Sequence, residues 1–365
     1  MVRFQGFGGS GVRGSVVTGR YDAVRAVEVP PNLGAIADLT PVRDQERPAW
    51  LALGEDGTIS RWDVTTGDHE AVGTTTVWAE PDPEPWNDRE IRRRLHASHD
   101  GDFCAVVNDY GRFGEVIDLR TGEVTLALEN EGHHSDTVPF SLAFGRSHGR
   151  CVVIHRTDWN RLDVSDAETG ALLTDRSFLS PAEEDGLPEH HLDYFHGALY
   201  VSPDGKRILD DGWIWHPVGV PSVWDLDPWI EGNVWESEDG PSRVDVCGRE
   251  YYWDHAMTWI DSARVAIGGI GDDDLAMRPG ARIFDTSRTG ERGMAVELLT
   301  FEGPAGRFFS DGTRLFSSGD TGLSTWDPAE GNLLGAVPGF SPTHHHPSTG
   351  QFLELADGVV RLWTA

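Results

Sequence analysis

A single unit recurs from one end of this chain to the other. It consists of an apolar run, a short turn, a segment ending in an aromatic or aliphatic residue plus Asp, then Thr-Gly or its equivalent, then another apolar run. The clearest copy reads Trp50-Leu51-Ala52-Leu53, Glu55-Asp56-Gly57, Ile59 to Trp62-Asp63 and Thr66-Gly67. Others carry Ile117-Asp118 with Thr121-Gly122, Leu162-Asp163 with Thr169-Gly170, Trp224-Asp225, Phe284-Asp285 with Thr289-Gly290, and Trp326-Asp327 with Glu330-Gly331. The seventh ends in Arg361-Leu362-Trp363-Thr364, its Trp aligned with Trp62. At 365 residues the chain is too long for one ordinary core, so it must divide into domains or grow by repetition. The repeat selects growth by repetition.

Asp-Gly and Thr-Gly between β-rich runs are hairpin chemistry, because Gly takes the positive φ that tight turns need. Turns such as His99-Asp100-Gly101, Ser202-Pro203-Asp204-Gly205 and Ser310-Asp311-Gly312 stand ahead of most units. Each unit therefore reads as a four-stranded antiparallel meander, strands a to d from the inside outward. The second strands, Phe103 to Val107, Cys151 to Ile154, Val265 to Ile267 and Phe352 to Leu355, are largely continuous apolar runs, as expected where neighbouring sheets cover both faces. Sheets stacked radially in this way form an all-β propeller. Seven blades are expected, at about 33–77, 95–131, 138–180, 192–245, 254–303, 304–338 and 340–365. The last has only three strands of its own. Residues 15–30, with Val16-Val17-Thr18-Gly19 and Ala26-Val27-Glu28-Val29, supply the missing outer strand and close the ring, which removes two exposed edges. Residues 1–14 form a flexible Gly-rich tail; Gly6 to Gly14 has no strand before it and no Lys-Ser/Thr after it, so a nucleotide loop is not expected.

The Trp-Asp endings, the Ser-Pro-Asp-Gly turn and the stretch Gly132-His133 with Val138, Leu142 and Phe144 resemble WD repeats, and the resemblance covers nearly the whole chain. Only one unit keeps a Gly-His start, and three have lost the Trp before Asp. What the resemblance implies is a propeller scaffold of the WD40 kind, with a protein partner.

Charge narrows the partners. With 60 Asp plus Glu against 30 Lys plus Arg, the net charge of −30 repels phosphate backbones and anionic lipid, so neither nucleic acid nor a membrane surface is expected as a partner. No run approaches the roughly 18 apolar residues of a membrane span, and the N-terminus lacks the apolar stretch of a secretory signal. Cys104, Cys151 and Cys247 give no disulfide framework, which points to a soluble cytoplasmic protein.

Function is expected where length is added. The a–b and c–d turns leave one face of such a disc, and the b–c turns and inter-blade links leave the other. The extra length, at Val77 to Leu95, Ser180 to Asp193, Asp210 to Val223, Pro228 to Trp253 and Gly268 to Ala281, is assigned to the second face of blades one to five. Trp213, Trp215, Trp229, Trp235, Tyr251, Tyr252 and Trp253 concentrate there, as packing for a large insertion or as a surface for a peptide, glycan or small molecule. Asp272-Asp273-Asp274 reads as a solvated acidic loop, lacking the spaced ligands of a calcium site, and Arg92-Arg93-Arg94, beside Asp88 and Glu90, as a paired solvated surface or a contact with acidic neighbours. His96, His196, His255, His344, His345 and His346 fall in or just before predicted a strands, which line the channel. His96, His255 and His345 are the metal-ligand candidates among them, against the alternative that these histidines only bond neighbouring blades. No HExxH, metal-spaced Cys pair or Gly-x-Ser-x-Gly is present, so no cofactor is expected. The expected function is non-enzymatic protein binding through the elaborated face; the alternatives are a small-molecule- or metal-binding enzyme at the channel mouth and glycan binding by the Trp/Tyr insertion.

Overall fold

A repeated Asp organises the turns that make these sheets. Asp63, Asp118, Asp166, Asp285 and Asp327 lie within, at the end of or just after a third strand, and each accepts the backbone N–H two residues on, at 2.7 to 3.0 Å. This Asx turn fixes the reversal into the fourth strand. In the third unit the capping residue is Asp166. Asp163, which the repeat alignment selects, is instead buried inside the sheet, where it accepts hydrogen bonds from Thr157 and Thr174 and pairs with Arg176.

The computed structural model describes residues 23–44, 48–80, 89–130, 133–176, 190–356 and 358–365. They form eight antiparallel sheets. Sheet one holds Ile36–Val42, Ala49–Gly54, Thr58–Trp62 and His69–Thr74; sheet two holds Arg92–Ala97, Phe103–Asp109, Phe113–Asp118 and Glu123–Glu129. Sheet three has three strands, Leu142–Ser147, Arg150–Asp158 and Arg161–Asp166, with a lone bridge from Ser165 to Leu172 where a fourth would lie. Sheets four, five and six begin at Leu199–Val201, Met257–Trp259 and Arg307–Ser310, and each has four strands in chain order. Sheet seven contains His344–His346, Gln351–Ala356 and Val359–Thr364, and Arg25–Glu28 pairs on its outer edge, Arg25 opposite Leu362 and Glu28 opposite Val359. Residues 1–22, which include the proposed tail and Val16 to Arg20, lie outside the described residues, as does Gly132.

The core lies between the sheets. Trp50 and Trp62 stand opposite each other in sheet one and pack with Leu353 and Leu362 of sheet seven, all nearly free of solvent. Similar clusters join sheets one and two through Leu51 and Val106, two and three through Val107 and Val153, three and four through Ile154 and Ile208, and four and five through Leu209 and Ile267. Ala266 with Phe308 joins five and six, and Phe316 with Phe352 joins six and seven. Burying a large apolar side chain stabilises by roughly 1.5 to 3 kcal/mol, so these layers are the main reason the sheets stay stacked. The architecture is all-β, with sheets arranged as propeller blades. No helix among the described residues is long and apolar enough to cross a membrane.

Two expectations about the long insertions change. Residues 210 to 223 are not an irregular loop: all four strands of sheet four break and resume as a second, smaller sheet of Tyr194–Phe195, Trp213–Ile214, Val218–Gly219 and Arg249–Glu250. The break is set by close backbone approach. A Cβ on Gly197 would lie 2.0 Å from the Asp211 carbonyl oxygen, and one on Gly212 would lie 2.2 Å from the Tyr194 ring. The segment 228–253 also divides. Residues 226–243 join the third and fourth strands of sheet four, so they leave on the a–b side, the face expected to be plain. They carry two short helices, α1 (Leu226–Glu231) and α2 (Glu236–Asp239). Leu226 N–H donates to the Lys206 carbonyl in the a–b turn of sheet four, and the Ser147 hydroxyl at the corresponding turn of sheet three donates to Asp227.

Candidate functional site

The second tier of sheet four is built from rings. Phe195 stacks on Trp213 at 4.1 Å and 10°, Trp213 stacks on Trp253 at 5.0 Å and 18°, and Trp159 closes on Phe195 at 4.9 Å. The Trp253 indole N–H donates to the Thr137 carbonyl. Trp213 is only 3% exposed, so it is core for this tier. Trp215, on the hairpin beyond it, is 54% exposed and meets His134 at 5.8 Å. Tyr251, just past the outer strand, is 62% exposed. Its neighbour Tyr252 turns the other way, stacks on His255 at 3.4 Å and takes the Arg249 guanidinium on its ring. Five of the seven predicted aromatics thus gather around one tier.

The other two do not. Trp229, on α1, is fully buried against Trp224, and its indole donates to the Val234 carbonyl. Trp235 lies over the Arg176 guanidinium and stacks with His190. Arg176, itself buried, bonds Glu238 at 2.5 Å and Asp163 at 3.1 Å, so Trp235 covers an ion-pair cluster that fastens α2 to sheet three. His133, His134, Trp159 and Phe195 complete the aromatic tier, and sequence reasoning did not select them. They come from three separate segments, and only the shared aromatic character of His133-His134 and Tyr194-Phe195 hints at it.

The second feature is a cavity of about 1120 Å³, lined by residues from all seven main sheets. His96, His255, His344 and His345 line it. His196 and His346 are fully buried away from it: His196 Nδ1 lies 2.6 Å from Asp210, and His346 packs edge-on to Trp50. Successive side chains of Thr343 to His346 alternate, so His344 meets Asp38 and Trp50 while His345 stacks on Phe352 at 4.3 Å. Burial lowers His96 to about 4, His255 to about 4 and His345 to about 3, so all three are neutral at pH 7. Among the described residues no three His, Cys, Asp or Glu side chains come close enough to hold a metal ion, so His96, His255 and His345 line one space without converging. Asp272 pairs with Arg282 and Asp273 caps the Leu275 N–H, which satisfies the acidic loop locally.

Arginine is the unexpected lining. Arg92 and Arg94 face the cavity, and the intervening Arg93 turns away to bond Glu55. Of the two readings of the triplet, contact with acidic residues fits and a solvated surface does not, though the partners are Asp38, Asp109 and Glu55. Arg94 lies 3.6 Å from Asp38 and 3.8 Å from Asp109, and Arg92 lies 3.7 Å from Asp109. Burial raises the Asp38 carboxyl, but the His344 hydrogen bond and the Arg94 charge outweigh it and bring the group down to about 2. Arg89 pairs with Asp254, which also accepts from the Tyr110 hydroxyl at 2.8 Å.

No family model matches the chain, and no curated protein matches it. Among solved structures, it is similar to a chain in the crystal structure of the mitotic checkpoint complex at 13% identity and TM-score 0.55, covering 100% of this chain and 99% of that one. It is also similar to the structure of U3-55K at 13% identity and TM-score 0.56, covering 94% and 98%. At that identity the likeness speaks for the fold alone, a WD40-like propeller.

Proposed function

We propose that the protein is a seven-bladed WD40-like scaffold that holds a protein partner on the b–c face, centred on sheet four. The apolar clusters that join sheet one to two, two to three and onward to seven, and seven back to one, support a ring of seven blades. The pairing of Arg25–Glu28 with Val359–Leu362 supports closure by the N-terminal strand. The observation that carries the functional reading is the pair of exposed rings, Trp215 and Tyr251, on a base of stacked, buried ones. Rings already held in place lose little entropy on binding, and fully buried aromatic anchors dominate most interfaces. The likeness to a chain from a multiprotein complex agrees with this reading. Three free thiols suit the reducing cytoplasm, which is the setting we assign.

The test is affinity capture with the parent and with Trp215→Ser, Tyr251→Ser. A partner recovered by the parent and lost by the variant, with melting unchanged, supports the reading; identical capture by both refutes it. A small-molecule reading rests on the cavity, whose volume exceeds the usual range for drug-sized ligands. Glycan binding rests on Trp215 alone as an exposed indole beside His134, and a glycan titration of Trp fluorescence decides it.

A further inference from the structure

In a chain of net charge −30, the cavity collects five arginines, Arg43, Arg89, Arg92, Arg94 and Arg307, against the lining carboxylates Asp109, Asp254 and Asp320. Strand direction places them along the cavity. Arg92 and Arg307 open the first strands of sheets two and six, on the side of the inter-blade links, whereas Arg43 follows the first strand of sheet one toward the opposite mouth. At the link-side mouth Asp38 and Asp109 are committed to Arg94 and Arg92, and Asp254 to Arg89 and Tyr110, while Asp320, in the b–c turn of sheet six, lies on this side with no ion pair among the described residues. Arg307 is open to the cavity, and among the described residues no carboxylate lies within ion-pair distance of it. The surrounding protein and the positive charges of Arg94 and Arg92 push its guanidinium below the usual arginine range. A guanidinium that makes no side-chain hydrogen bond or ion pair among the described residues keeps its donors for an oxyanion.

We propose that the link-side mouth of the channel binds a ligand carrying phosphate or carboxylate oxyanions, held by Arg307 and Arg94. The molecule's overall charge repels anions, so the site selects ligands that reach the mouth and deliver several charges to a small area; bulk nucleic acid is not such a ligand. This inference does not depend on the aromatic surface of sheet four.

The probes are inorganic tripolyphosphate, as a free small polyanion, and a phosphoserine peptide with its unphosphorylated twin, as a chain-borne source. Each is titrated calorimetrically into the full chain at low salt. One of the two probe types is expected to saturate at one site and to weaken as salt rises. Arg307→Ala should weaken it at least tenfold, while Arg278→Ala, at the start of the third strand of sheet five and outside the cavity lining, leaves it within twofold. Tripolyphosphate binding assigns the free source, and binding of the phosphopeptide alone assigns the chain-borne one. Arg307 is exposed, so its variant is expected to keep the parent melting temperature, and tripolyphosphate or phosphopeptide should raise that temperature in the parent but not in the variant. Absence of binding by every probe, or binding that Arg307→Ala leaves intact, overturns the proposal.

Discussion

Arg176 is the residue whose removal tests the packing of the helical insert most sharply. It is buried with Asp163 and Glu238, donates to the Leu162 carbonyl at 2.6 Å, and is capped by Trp235. Removing one member of a buried ion pair leaves its partner desolvated, a cost of about 3 to 5 kcal/mol, and here Glu238 bears it while Asp163 keeps Arg161. Arg176→Ala is therefore expected to lower stability by that amount in urea denaturation, and Glu238→Gln by less, because Gln still accepts a hydrogen bond. Equal stability of parent and Arg176→Ala would show that the cluster does not hold the insert. Asp163 also shows where residue-level reading stops. The alignment chose it because Leu-Asp preceded Thr-Gly, but turn geometry depends on the distance back from Gly170, and Asp166 sits four residues before it, as Asp63 sits before Gly67.

At the scale of elements, the strands were legible wherever apolar runs were bounded by Asp-Gly or Thr-Gly, as in Ala49–Gly54 and Phe103–Asp109. The second tier of sheet four was not. Its strands are two residues long and owe their existence to partners far away in sequence, such as Glu250 opposite Val218. The outer strand Arg25–Glu28 was legible as an orphan apolar segment, and its role can be tested. If it closes the ring, deleting residues 1–29 bares the edge of Val359–Leu362 and, by removing Val27 and Val29, uncovers Val360 and Leu362. Losing several such contacts, at roughly 1.5 to 3 kcal/mol per large side chain, rivals the stability of a domain. The long deletion should aggregate or melt well below the parent, whereas deletion of residues 1–13 should melt within a few degrees of it. Two deletions of equal stability would remove the basis for closure.

At the scale of the whole molecule, buried histidine sets the response to acid. His96, His255 and His346 are lowered by burial to about 4, and His345 to about 3, from an ordinary value of 6.5. Between 6.5 and those values the unfolded chain binds protons that the folded chain refuses, so stability is full above pH 6.5 and is lost as pH falls. Each such group contributes a slope of about 1.4 kcal/mol per pH unit in that window. Asp211 opposes them: burial raises its carboxyl to about 6, so the folded state holds its proton between there and 3.8 and gains stability as pH falls. Burial also lowers His134 and His155 and raises Asp109, so six histidines stand against two carboxyls and leave a net loss between pH 6.5 and 4. Denaturation midpoints at pH 7 and pH 5 should show it, and His345→Phe, in a site already formed by Phe309, Phe316 and Phe352, should make the loss shallower. A pH-independent midpoint would contradict it. The histidines could be placed in first strands from sequence. The arginines of the channel could not, because an overall charge of −30 hides a local excess that exists only once seven first strands converge.

The proposed binding face can be tested directly by crosslinking. A photocrosslinking residue placed at position 215 or 251 reports on the b–c face of sheet four, and one placed at exposed positions 204 or 313 reports on the a–b turns of the opposite face. Irradiation of cells expressing each variant, followed by mass analysis of the adducts, is predicted to give the same protein partner at 215 and 251 and none at 204 or 313. Adducts at 204 or 313, with none at 215 and 251, would contradict the assignment of the binding face.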